Sequence, residues 1–212
     1  GDSGGEDSGS SDEGDENEGG SDEKTGEKMP SEDESEDESS GDSANIITIP
    51  GGEFFGLATQ GSSFAYLVDC SGSFIGSPIE RAKEEIIRSI DVLTPEQSFS
   101  IVFFNESIHP YAKSLTTATD ENKSAAKRWV NDFRSRGGNE DPAAAVREAL
   151  GQGPEVIFLL SDGLFVPGVV EAISFANTEG CRVNTSSFVT REGEATMKRI
   201  ASENGGKYRH QP

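Results

Sequence analysis

The sequence predicts an α/β fold, a doubly wound and mostly parallel sheet with one antiparallel edge strand and helices on both faces. Two observations predict it. From Gly61 onward, short apolar runs alternate with segments whose apolar residues recur at helical spacing, and strands joined through helices pair in parallel. The runs themselves, such as Phe64-Ala65-Tyr66-Leu67-Val68, are apolar at consecutive positions, as strands covered on both faces are. No internal repeat of fixed period is visible.

Each element follows from local pattern. Phe64 to Asp69 is the first strand. Pro78 to Val92 carries Ile79, Ala82, Ile86, Ile87 and Ile90 at helical spacing, with Ser77 as the expected N-cap ahead of Pro78. Phe99 to Asn105 is a strand. Ile108 to Leu115 contains Pro110 and Lys113, which an edge tolerates, so it is expected as one short antiparallel edge strand. Asp120 to Arg134 is an amphipathic helix whose Trp129 aligns with Ala125, Ala126, Val130 and Phe133, a core-facing stripe. After a loop, Asp141-Pro142 opens a small-residue helix, Ala143 to Leu150. Glu155 to Leu160 is the most hydrophobic strand. Val169 to Asn177 is helical, Val183 to Val189 a strand, Ala195 to Asn204 a helix, and Lys207 to His210 a final short strand.

Charge divides the chain in two. Residues 1–44 hold eighteen acidic side chains against Lys24 and Lys28, a net charge of −16, and almost nothing apolar beyond Met29. Such a segment cannot bury a core and is expected as a disordered, self-repelling Ser/Gly-rich tail or linker. Residues 45–212 carry sixteen cations against twenty-one acids, enough chain for one domain and with no nucleic-acid footprint. No run of eighteen apolar residues exists, so no transmembrane segment is expected. The start at Gly1, without a signal-peptide pattern, reads as a piece of something longer. Cys70 and Cys181 fall near opposite ends of a parallel sheet, which disfavours a disulfide and leaves two buried thiols.

The chemistry lies in the turns after the strands. Asp69, Ser71 and Ser73 place a carboxylate and two hydroxyls at alternate positions just past the first strand, where open α/β sheets bind ligands. Asn139 follows the Gly137-Gly138 pair, and Asp162 follows the most apolar strand with Gly163 beside it. These five residues are the expected metal site. Two formal charges, several neutral oxygens and room for water favour Mg²⁺, or Mn²⁺, with Ca²⁺ less suited.

The set DCSGS at 69–73, GGN at 137–139 and SDG at 161–163 resembles the metal-ion-dependent adhesion site of a von Willebrand factor type A (vWA) domain, over roughly Phe64 to His210. Within that family VDCSGS, PEQSFSIVFFN and NGGKY resemble the bacterial single-domain type. The resemblance implies a Rossmann-like sheet, a divalent metal at its top, and a protein ligand presenting Asp or Glu that completes the coordination. It also implies an extracytoplasmic or cell-envelope setting. Asn139 stands where the family usually has threonine; an amide oxygen can coordinate but reaches differently. Glu140 and Asp141 are nearby carboxylates, Asp141 being placed to cap the following helix. Phe74 replaces the family's frequent methionine, a packing variation.

Alternatives are a metal-free scaffold of the same fold, or a non-catalytic subunit of an ATPase-driven chelatase or remodelling complex. The latter needs a partner ATPase, because no phosphate loop ending in Gly-Lys-Ser or Gly-Lys-Thr is present. Catalysis is disfavoured: Ser71 occupies the place of the second acid a phosphatase of the haloacid-dehalogenase type needs, and His109 and His210 are expected at the surface, away from a nucleophile. The acidic tail reads first as a soluble spacer or the remnant of an interdomain linker; a second hypothesis is that it reaches the metal site in cis and competes with an external acidic ligand, in which case deleting residues 1–44 strengthens that ligand's binding.

Overall fold

The computed structural model describes residues 51–212; the expectations for the acidic segment 1–44 lie outside them. A seven-stranded sheet organises the fold, built from β3 (Ser63–Asp69), β4 (Ser98–Phe104), β5 (Ile108–Pro110), β6 (Thr116–Thr117), β7 (Val156–Ser161), β8 (Arg182–Ser187) and β9 (Tyr208–His210). The path runs β5-β4-β3-β7-β8-β9, with β6 also on β4. β4 and β7 flank β3 in parallel, and β8 and β9 continue in parallel. The chain steps from β3 out to β4, then returns to β7 on the other side of β3. The carboxyl ends of β3 and β7 therefore border the point where strand order reverses.

Alternation along β3 splits the core. Phe64, Tyr66 and Val68 face the layer of α1 (Ser77–Asp91) and α2 (Asp120–Asp132), while Ala65 and Leu67 face α3 (Pro142–Leu150), α4 (Val169–Ala176) and α5 (Glu194–Glu203). On the first face the Tyr66 and Phe158 rings stack at 5.6 Å. On the second, α3 offers Ala143, Ala145 and Ala149, whose small side chains let the helix approach closely. The half-buried Trp129 packs its ring against Phe103 and Tyr111, as its place in the stripe predicts. Among the described residues no helix is long and apolar enough to cross a membrane.

Three expectations need correction or refinement, and one element was missed. Ser77 is not the N-cap of α1: Gly76 is, with φ 93° and no side-chain cap. The tight turn before it delivers the chain through a left-handed residue, so the helix begins one residue early. The single edge strand over Ile108 to Leu115 is two pieces, both antiparallel to β4. Pro110 sits where its nitrogen faces away from β4 and is therefore tolerated; after Tyr111 donates its N–H to Ile101 the chain leaves the sheet until Thr116. His109 and His210, expected at the surface, are there but half-covered: His109 meets the Phe133 ring at 5.6 Å and His210 Nδ1 lies 2.9 Å from Ser187 Oγ. Finally, β1 (Gly51–Phe54) and β2 (Leu57–Gln60) form a hairpin that sequence reasoning missed. Its two glycines and short alternation give little strand signal, yet Phe54 is fully buried against Tyr66 and Phe158.

Candidate metal centre

β3, buried along its whole length, delivers Asp69 to the switch point as its last residue. The carboxylate is fully enclosed and both oxygens are fixed. Oδ1 accepts the Ser71 backbone N–H at 2.8 Å, the local turn that aspartate forms readily. Oδ2 accepts the Ser161 hydroxyl at 2.7 Å; Ser161 ends β7 one step beyond the paired Val68 and Leu160. The chain then tightens into a 3₁₀ turn, Gly72–Phe74, with the Ser71 and Ser73 hydroxyls 3.3 Å apart. Ser71 is buried and Ser73 exposed, so this row of oxygens leads from the interior to solvent.

Asp162, also buried, accepts the Leu164 N–H on Oδ1 at 3.0 Å. The third loop, between α2 and α3, is tied to the Asp69–Ser73 loop and to the end of β4 by bonds at backbone atoms rather than by Asn139. Gly138 accepts the Gly72 N–H at 3.0 Å, Ser135 donates its hydroxyl to the Cys70 carbonyl, and Asn105 at the end of β4 donates to the Gly137 carbonyl at 2.6 Å. Asn139 is exposed. Among the described residues its amide makes no hydrogen bond to Asp69, Ser71, Ser73 or Asp162. Asp141 caps α3 by accepting the Ala144 N–H at 2.9 Å, as read from the sequence.

Electrostatics draw Glu140 into the site. Burial first, and then the neighbouring charge of Asp162, pushes the Asp69 carboxyl above the usual aspartate range, against the hydrogen bonds from Ser71 and Ser161. Glu140, half-buried, is raised by burial and by the charges of Asp69 and Asp162. Among the described residues no Lys, Arg or His pairs with any of the three. Like charges held together without a cation repel and disfavour ionisation.

Comparison with known proteins gives the family and the fold. A family model described as the von Willebrand factor type A domain matches residues 63–210. The chain belongs to the von Willebrand factor type A family. Inter-alpha-trypsin inhibitor heavy chain H4 of Homo sapiens is 28% identical over 169 residues, covering 71% of this chain and 18% of that protein. The chain thus spans less than a fifth of the length of such curated relatives. Among solved structures, a von Willebrand factor type A protein from Catenulispora acidiphila superposes with TM-score 0.65 at 20% identity, over 74% of this chain and 40% of that one. BatB from Bacteroides thetaiotaomicron gives TM-score 0.60 at 20% identity, over 71% and 90%.

Within this vWA domain the donor set suits a hard cation. Among the described residues no cluster of three or more His, Cys, Asp or Glu side chains is arranged to hold a metal by those groups alone. A cation there would have to draw its remaining ligands from hydroxyl oxygens, and Ser71 and Ser73 are the ones that could supply them. A set of one or two carboxylates with hydroxyls fits Mg²⁺ or Mn²⁺ and leaves sites for water. Three positions escaped sequence reasoning: Ser161, Ser135 and Asn105. Ser161 had a readable signal, because aligning the two most apolar strands sets it beside Asp69. Ser135 and Asn105 act on backbone atoms across the fold and carried none. Both cysteines are free and buried, and burial pushes each thiol up to about 12.

Proposed function

We propose that this vWA domain is a protein-interaction module whose binding requires a divalent cation, and that an acidic residue of the partner completes the coordination. The observation that carries the reading is the fully buried Asp69, fixed on both oxygens and set beside Asp162 and Glu140 with no compensating cation. Burying a carboxylate beside like charge is costly unless something positive arrives. Asp69, Ser71, Ser73 and Asp162 would hold the ion, with Asn139 or Glu140 reaching it from the third loop. The ion supplies an electropositive point that accepts one more oxygen ligand. Ser73, the exposed end of the donor row, marks the side from which a partner's carboxylate approaches.

Calorimetric titration with Mg²⁺, Mn²⁺ and Ca²⁺ tests this. Saturable heat is expected for Mg²⁺ and Mn²⁺ with the wild type and none with Asp69→Ala. Identical traces for the two proteins would discard the metal and leave a scaffold that binds through its loops.

A further inference from the structure

The surface around the metal centre is divided. Six large apolar side chains are exposed among the described residues; three of them, Leu164, Val166 and Val189, lie on loops at the carboxyl ends of β7 and β8, and a fourth, Ile75, lies beside Gly137 of the third loop. Val166 is 74% exposed and Val189 56%. Apolar groups gathered at one end of a domain mark an interaction surface. Val189 adds a second sign, for it sits at φ 73°, a conformation β-branched residues rarely adopt and one that concentrates at working sites. Its loop rests directly on the Asp162 loop, where a Cβ on Gly193 would come within 2.2 Å of the Asp162 carbonyl. Leu164 and Val189 therefore rise from touching loops on one side of Asp69.

The opposite side is cationic. A pocket of about 540 Å³ adjoins the third loop, lined among others by Cys70, Glu106, His109, Arg134, Arg136 and Gly138. Two arginines face one glutamate, although residues 45–212 carry more acids than bases. Arg134 is steadied by the carbonyls of Asn131 and Phe133, and among the described residues Arg136 pairs with no carboxylate. This local charge complements an acidic partner.

We propose that the rim reads a protein segment in two directions from its metal-completing carboxylate: Leu164, Val166 and Val189 take apolar side chains on one side, and Arg134 and Arg136 take a second acidic group on the other. The proposal rests on the metal-dependent reading above and adds the partner's sequence character, a single Asp or Glu with apolar neighbours before or after it and an acid on the far side.

A random peptide library, displayed on a carrier and selected on the full chain in Mg²⁺ with elution by EDTA, tests it. The expected peptides share that pattern. Leu164→Ser combined with Val166→Ser, and separately Arg136→Ala, should each weaken them about tenfold, with only the arginine effect shrinking in high salt. EDTA-released peptides whose acid has random flanks, or that bind both variants within twofold of wild type, would overturn the two-sided rim while keeping the metal. Recovery of no EDTA-released peptide would remove the metal-dependent reading itself, and this proposal with it.

Discussion

At the amino ends of the strands, Glu155 accepts the Ser62 N–H at 2.9 Å and the Ser62 hydroxyl at 2.6 Å. Gln97 there donates to the Gly61 carbonyl, and the buried Lys123 ammonium donates to the carbonyls of Asp91 and Leu93. At the carboxyl ends, Asp69, Asp162 and Glu140 lie within one another's electrostatic influence instead. The contrast appears in the protonation of single groups. The Ser62 donors hold the Glu155 carboxyl below the usual glutamate range, whereas burial and like charge lift Asp69 and Glu140 above theirs. One rim has its polar groups matched by opposite partners and serves the fold. At the other, Asp69, Asp162 and Glu140 have no cation paired with them among the described residues, although Arg134 and Arg136 stand farther along the rim, and that is the condition a bound cation would relieve.

Paired substitutions at the two rims can break this contrast. The largest effects are expected where backbones touch. A Cβ on Gly206 would meet the Val183 carbonyl at 1.9 Å, and one on Gly193 the Asp162 carbonyl at 2.2 Å. Gly206→Ala and Gly193→Ala should each cost about 3 kcal/mol in urea unfolding. Only Gly193→Ala should also weaken Mg²⁺ binding, since only it displaces Asp162; equal metal affinity in the two variants would show that the rims are not distinct. Next, Lys123→Ala should cost about 2 kcal/mol by orphaning two carbonyls, with the metal titration unchanged.

Smaller effects sharpen the comparison by sign. Asp69→Asn removes one of the clustered charges while an amide can keep both hydrogen-bond partners. Measured without divalent cations, it should be more stable than the wild type by about 1 kcal/mol. A loss of stability would mean the carboxylate is already compensated. Glu155→Gln should be destabilising by about 0.5 kcal/mol at neutral pH, a modest value because the group is exposed. A depressed folded pKa gives stability that is present above the unfolded value and lost as pH falls through the folded one. The difference between Glu155→Gln and wild type should therefore vanish in acid, and a difference that persists there would assign it to packing.

Much of this contrast was legible in the chain. The consecutive apolar positions of Phe64 to Val68 and Val156 to Leu160 fixed the central strands, because burial on both faces leaves no polar alternation. Asp69, Ser71, Ser73 and Asp162 were readable because strand ends in such sheets define a rim. The hairpin at Gly51–Gln60 was not, since its place depends on Phe54 finding Tyr66 and Phe158 rather than on local pattern. The position of Asn139 was equally hidden. Its loop is set by Gly138, Ser135 and Asn105 binding distant backbone atoms, and these turn the amide outward while Glu140 comes under the influence of both aspartates. Spacing records which residues enter a loop, but long-range backbone bonds decide which of them faces inward.

The most direct test of the central claim is the anomalous difference density of a crystal grown or soaked in Mn²⁺. A single strong peak bounded by the oxygens of Asp69, Ser71, Ser73 and Asp162 is expected. Density absent there, with those side chains ordered as described, would contradict a rim built to hold a cation.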